Sequence, residues 1–267
     1  MKILIYIKQF ILLPIRLTAI ILYVILGFLT QILVFFWIKP YLKRSIIALW
    51  SRLVLFAFGI KLQADSFKKS TYKSIYFTKN EVTKAEPALY VSNHISWLDI
   101  LVIQSVAPVV FVAKIEIKSW PILGWLVTMA DTCFINRSRR STLLKVHSTL
   151  TTYLQAGQSI CIFPEGKTTN GQQILPFHAS LFQAAIDAGV VVQPIYLNYS
   201  HSAAAYVDNI SLLASVYSVL LAPNLQITAV KLPVLPTILQ TRQCLAIEAH
   251  QQVAGEYARY VTNYIPN

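Results

Sequence analysis

Two side chains able to do acid–base work stand five positions apart in Asn93-His94-Ile95-Ser96-Trp97-Leu98-Asp99. A short apolar run, Ala88-Leu89-Tyr90-Val91, precedes them and reads as a buried strand, so His94 lies where a strand ends and the chain turns outward. In a regular helix five residues rotate by roughly 500°, which would hold the two side chains about 140° apart. They can meet only if the segment starts as a turn and becomes helical later. A histidine base needs a partner that fixes its tautomer and stabilises its cation, and a carboxylate one turn on supplies both. Ser96-Trp97-Leu98-Asp99 also fits a helix capping box in which Asp99 serves only the backbone. Both readings stand at this point.

Three further stretches have the same strand-then-polar form. Phe134-Ile135-Asn136-Arg137 ends in a guanidinium beside a helix start at Ser138, with Arg139 and Arg140 following. Arginine grips phosphate through a planar fork of donors, and a helix N-terminus adds backbone N–H groups; a solvated basic patch is the alternative. Cys161-Ile162-Phe163-Pro164-Glu165-Gly166-Lys167 opens an apolar run into a loop with a carboxylate, a glycine and a cation. Gly166 would let backbone approach a ligand, or simply make a turn. In Val192-Gln193-Pro194-Ile195 the proline indicates an edge or an end of a strand.

The elements that must hold these groups can be read more coarsely. The 267 residues suffice for one sizeable domain and an appendage. Composition is 55% hydrophobic and only 13% charged, with mean hydropathy +0.55, which is too apolar for an ordinary soluble chain. The net charge of +12 then points to anionic lipid headgroups and phosphorylated substrates. Nucleic acid is not expected as a partner, because no basic and aromatic recognition motif accompanies the charge. The cysteines Cys133, Cys161 and Cys244 form no CxxC pair, and the first two read as small core residues.

Leu17 to Ile38 is uncharged over 22 residues, roughly 33 Å as a helix and matched to a bilayer core. Ser45 to Ile60 is a second apolar stretch, broken by Arg52 and short for a span. Residues 1–61 therefore read as a membrane-embedded helical segment, and 62–267 as the catalytic domain. Strands are expected at 74–77, 87–91, 109–113, 132–135, 159–163, 191–197 and 226–231. Helices are expected at 119–130, 138–155, 178–188, 209–221 and 242–263. This alternation predicts an α/β fold, a largely parallel sheet flanked by helices.

Taken together and in order, the four blocks resemble the glycerolipid acyltransferase family, best known from 1-acylglycerol-3-phosphate (lysophosphatidic acid) acyltransferases. Its Asn-His-x4-Asp block is Asn93-His94…Asp99, and its Gly-x-x-Phe-x-x-Arg block is Asp131-Thr132-Cys133-Phe134-Ile135-Asn136-Arg137. Its Phe-Pro-Glu-Gly-Thr block is Phe163-Pro164-Glu165-Gly166-Lys167, and its Val-x-Pro-Ile-like strand is Val192-Gln193-Pro194-Ile195. Two positions depart: Asp131 replaces the usual glycine and Lys167 the usual threonine. The resemblance implies transfer of an acyl group from a thioester, acyl-CoA or acyl carrier protein, to a lysophospholipid hydroxyl. 1-Acylglycerol-3-phosphate is the first acceptor it implies, and another acceptor such as lyso-ornithine lipid is the alternative. His94 would be the base, Asp99 its partner, Arg137 the phosphate ligand with Lys167 nearby, and Glu165 and Gly166 the shapers of the acceptor site. No metal or cofactor is called for. Attachment to the cell inner membrane is expected, with the site on the cytoplasmic side. A non-catalytic lipid-binding protein is the remaining rival, and intact His94 and Asp99 count against it.

Overall fold

The computed structural model describes residues 2–64, 86–107, 109–119, 124, 132–135, 140–207 and 210–264. Strands built from short, nearly continuous apolar runs must be covered on both faces. Among the described residues seven strands form one sheet, the central ones of this kind: β1 (Lys61–Gln63), β2 (Ala88–Ser92), β3 (Val110–Lys114), β4 (Cys133–Ile135), β5 (Ile160–Ile162), β6 (Val191–Tyr199) and β7 (Gln226–Lys231). Their order is β1-β7-β6-β2-β5-β3-β4. Every neighbouring pair is parallel except β6 with β7. The carboxyl ends of β2, β4, β5 and β6 therefore share one edge of the sheet, and β6 lies on the far side of β2 from β5. Such a crossover is where α/β sheets gather their ligand sites.

Side chains alternate along the strands as the pleat requires. In β6, Val192 and Tyr196 join one core while Ile195 and Leu197 join the other. The first core is completed by α4 (Arg140–Gln155), α5 (Gln183–Ala188) and α7 (Arg242–Tyr264). The second is completed by α2 (Pro40–Ala57), α3 (Leu98–Val106) and α6 (Leu212–Leu221). Six of the expected strands and most expected helices are present. The strand expected at 74–77 and most of the helix expected at 119–130 lie outside the described residues. β1 and α3 were not expected. β1 is only three mixed residues long, and α3 is so apolar that it carries no helical stripe.

Pro194 differs from expectation, because β6 has a partner on each side. Its ladder with β7 starts at Ile195↔Lys231, yet the next bridge is Val192↔Leu235. Two residues of β6 thus oppose three on the other chain, a bulge at which a proline lacking its N–H is accommodated. The Gln193 amide fills the gap, donating to the carbonyls of Leu232 (2.6 Å) and Pro194 (3.0 Å).

The N-terminal part also differs in detail. One helix, α1, runs Lys2–Leu33, and its stretch Phe10–Leu33 is long and apolar enough to cross a membrane. Arg16 does not mark its edge: the guanidinium donates to the Leu220 carbonyl at 2.9 Å, in the last turn of α6 where carbonyls carry partial negative charge. Gly59 (φ +74°) leaves room for it, since a β-carbon there would lie 2.4 Å from an Arg16 nitrogen. The helix ends at Leu33, so the run expected to Ile38 turns before its end, and Pro40 opens α2.

α2 is not a second anchor standing apart. Val54, Leu55 and Phe58 are buried with Leu98, Val102 and Ile103 of α3, and Arg52 donates to the Ser105 carbonyl at 2.8 Å. α2 thus packs directly onto α3 of the part expected to begin at residue 62.

Candidate active site

The turn after β2 is built almost wholly from buried residues: Ser92, Asn93, Ile95, Ser96, Leu98 and Asp99. Asn93 fixes it to β6, donating to the Leu197 carbonyl (2.9 Å) and accepting from the Leu197 N–H (2.8 Å). The chain turns through 93–96 and becomes helical at Leu98, as the five-residue spacing requires. His94 Nδ1 then lies 2.7 Å from Asp99 Oδ2. The same oxygen accepts the N–H groups of Ile95 (2.7 Å) and Ser96 (2.9 Å). The two readings of Asp99, base partner and backbone cap, are therefore one arrangement.

Because these two N–H groups can only donate, Asp99 is held as an acceptor, and the proton of the imidazole sits on Nδ1. Nε2 has no hydrogen-bond partner among the described residues, and the side chain is 20% exposed. One face of the ring is stacked on Phe163, at 4.0 Å between centroids and 11° between planes. An immobilised imidazole with an outward lone pair is equipped to take a proton from an alcohol.

Glu165 follows β5 and is buried, but both its oxygens are used by backbone. Oε1 accepts the His94 N–H at 2.7 Å and Oε2 the Leu175 N–H at 3.0 Å. Burial raises its pKa, and these two donors oppose the rise. Thr169 closes the other side, its N–H donating to the His94 carbonyl at 2.8 Å. Gly166, with φ +76°, allows the loop to turn between these anchors. Lys167 is exposed, at the outside of that loop. Arg137 and Asp131 lie outside the described residues.

The carboxylate geometry makes a prediction. Glu165→Gln would set an amide N–H against one of two backbone N–H donors. The expected cost is about 1–3 kcal/mol of stability, with reduced turnover, read by thermal unfolding and assay in detergent. A mutant of unchanged stability with a raised acceptor KM would instead put Glu165 on the substrate.

Residues 74–198 match the acyltransferase family profile, a stretch that holds all four blocks. The chain is 42% identical over 114 residues to a lyso-ornithine lipid O-acyltransferase of Pseudomonas aeruginosa, covering 43% of this chain and 44% of that protein. It is 47% identical over 111 residues to a 1-acyl-sn-glycerol-3-phosphate acyltransferase of Neisseria gonorrhoeae, covering 42% and 44%. The aligned part thus spans less than half the length of these relatives. The fold is shared with the crystal structure of the 1-acyl-sn-glycerophosphate acyltransferase PlsC from Thermotoga maritima, at TM-score 0.69 and 14% identity over 97% of this chain and 99% of that one.

Some supports of this site are not foreseen from the sequence. Tyr199 donates to Asp99 Oδ1 at 2.5 Å. Burial and the Asp99 charge push its phenol well above the ordinary tyrosine value, so it remains a donor. Cys161 lies fully buried in β5, and burial together with Asp99 likewise pushes its thiol well up, which removes it as a nucleophile. Trp97 donates from Nε1 to Ser215 Oγ of α6 at 3.0 Å and packs edge-on against Phe58. Cys161 is the core residue its apolar run predicts and Trp97 is a large aromatic inside the first block, whereas Tyr199 has no sequence signal, its partner being distant along the chain.

Proposed function

We propose that the chain transfers a fatty acyl group from a thioester donor, acyl-CoA or acyl carrier protein, to the free hydroxyl of a lysophospholipid. The observation that carries this reading is the His94–Asp99 pair at the carboxyl edge of the sheet, with the imidazole 20% exposed and Nε2 without a hydrogen bond among the described residues. Nε2 takes the hydroxyl proton as the oxygen attacks the thioester carbonyl. The tetrahedral intermediate then expels the thiolate, which recovers that proton from the imidazolium. Asp99 keeps the ring oriented and balances its charge, and no protein nucleophile is involved.

The acceptor we propose is 1-acylglycerol-3-phosphate, giving phosphatidic acid. Lyso-ornithine lipid is a second reading, favoured by the relatives that carry that name. Residues 1–61 hold the protein at the membrane through α1, in the cell inner membrane with the site on the cytoplasmic side. The exposure of Ile21, Leu22 and Ile25 on α1 supports contact with lipid.

Purified protein should be assayed against a panel of lysolipid acceptors with acyl-CoA and acyl carrier protein donors. Product from 1-acylglycerol-3-phosphate is the expected result, product from lyso-ornithine lipid alone would select the second reading, and no transfer at all would end both. For the phosphate acceptor, Arg137 is the proposed ligand. Arg137→Ala should weaken acceptor affinity about ten- to a hundredfold, the scale of a charge-assisted hydrogen bond, and leave the donor KM unchanged. Kinetics with both substrates varied check this; a rise in the donor KM alone would assign the arginine to the thioester carrier.

A further inference from the structure

Asp99 is more heavily bonded than its pairing with His94 requires. Oδ2 receives His94 Nδ1 and the N–H groups of Ile95 and Ser96, while Oδ1 receives the hydroxyl of Tyr199 at 2.5 Å. Tyr199 comes from the last position of β6, 100 residues further along the chain. The Asn93 side chain locks the end of β2 onto β6 two residues earlier, at Leu197, so the phenol and the carboxylate are held by the same splice between strands.

We infer that Tyr199 is a positioning residue that sets the basicity of His94 through Asp99. This rests on the proposed acyl transfer only for its kinetic consequence. A donor on Oδ1 disperses carboxylate charge and so weakens the attraction of Asp99 for the imidazolium. Oδ2 stays aimed at Nδ1 without it, held by the N–H groups of Ile95 and Ser96. Without the hydroxyl, the buried carboxylate keeps more charge for the ring and holds the protonated imidazole more tightly.

The other groups around this pair stay in place when only the hydroxyl is removed. Glu165 faces His94 from the loop after β5, bonded to its N–H, and exerts its own charge on the ring. Cys161 lies beside Asp99 from β5 as a neutral thiol. Phe163 covers one ring face and carries no charge. None of the three touches the Tyr199 hydroxyl.

The test is Tyr199→Phe, which keeps the ring that packs in the second core. In the wild type the ascending limb of kcat/KM against pH marks deprotonation of the base in the free enzyme. In the variant that limb should move to higher pH, and kcat at neutral pH should fall about tenfold, the scale of one hydrogen bond to a charged group. Neither KM should change. The same quantity is read without any reaction from the His94 Cε1–H resonance of labelled protein in micelles, whose midpoint with pH should move upward. A wild type that transfers no acyl group would sink the proposed function, and the resonance would then judge Tyr199 alone. An unmoved resonance midpoint overturns the inference, and so does a variant changed only in KM. Should Tyr199→Phe fail to fold, Tyr199→Met, which also lacks the hydroxyl and keeps a large apolar side chain in the second core, serves as the second variant: a His94 midpoint moved upward from the wild-type value supports the inference, and a midpoint equal to the wild-type value overturns it.

Discussion

His94→Ala should lower turnover by at least about a hundredfold, the lower range for the loss of a general base, with the fold intact. The two effects separate because the parts of His94 that hold the turn are main-chain atoms. Its N–H is bonded to Glu165 and its carbonyl to Thr169, and alanine keeps both. What alanine removes is the ring on Phe163 and the Nε2 proposed to accept the hydroxyl proton. Steady-state assays beside thermal unfolding decide the matter, and an active alanine variant would remove the mechanism. Asp99→Asn is expected to behave differently. Its amide has one acceptor oxygen where the carboxylate has two, and it faces the donors of His94, Ile95, Ser96 and Tyr199. That variant should lose activity and stability together, since at least one buried donor is left without an acceptor.

The second large effect concerns the N-terminus. A chain beginning at residue 62, where composition alone would divide it, should fail to fold. Leu98, Val102 and Ile103 of α3 are fully buried, and Val54 and Leu55 of α2 with Phe58 just after it pack against them. Each large apolar side chain returned to water costs about 1.5–3 kcal/mol, and whole domains are stable by only about 5–15 kcal/mol. A chain beginning at residue 40 keeps α2 and loses α1, which meets the rest through Arg16, Leu13, Ile20 and Tyr23. It should retain structure and lose membrane retention. Limited proteolysis and circular dichroism of both truncations in detergent provide the comparison. A folded, active product from residue 62 would make residues 1–61 a mere tether.

The sequence was most legible where one physical rule dominates. Short apolar runs such as Leu89–Val91 and Ile160–Ile162 are buried on both faces, so their strand character shows without periodicity. The five-residue interval between His94 and Asp99 demanded a turn before a helix, and the chain makes one. Legibility ended where the partner lies far away. Nothing in Leu197-Asn198-Tyr199 announces that the hydroxyl will meet Asp99, because that contact is created by the pairing of β2 with β6. Glu165 reads from its loop as a ligand for substrate, and only the folded chain brings the His94 and Leu175 N–H groups to its oxygens. Arg52 looked like an interruption in an apolar stretch until the Ser105 carbonyl stood opposite it.

The loop after β5 is pinned at two points, Glu165 to the His94 N–H and Thr169 to its carbonyl, while Lys167, Asn170, Gln172 and Gln173 face solvent. Those solvent-facing residues can be exchanged without disturbing the turn that holds His94. Inheritance can therefore act on headgroup choice and on acid–base chemistry as separable traits. A lineage could change the lipid it consumes by drift at positions such as Lys167, and every intermediate along that path would still be a working catalyst.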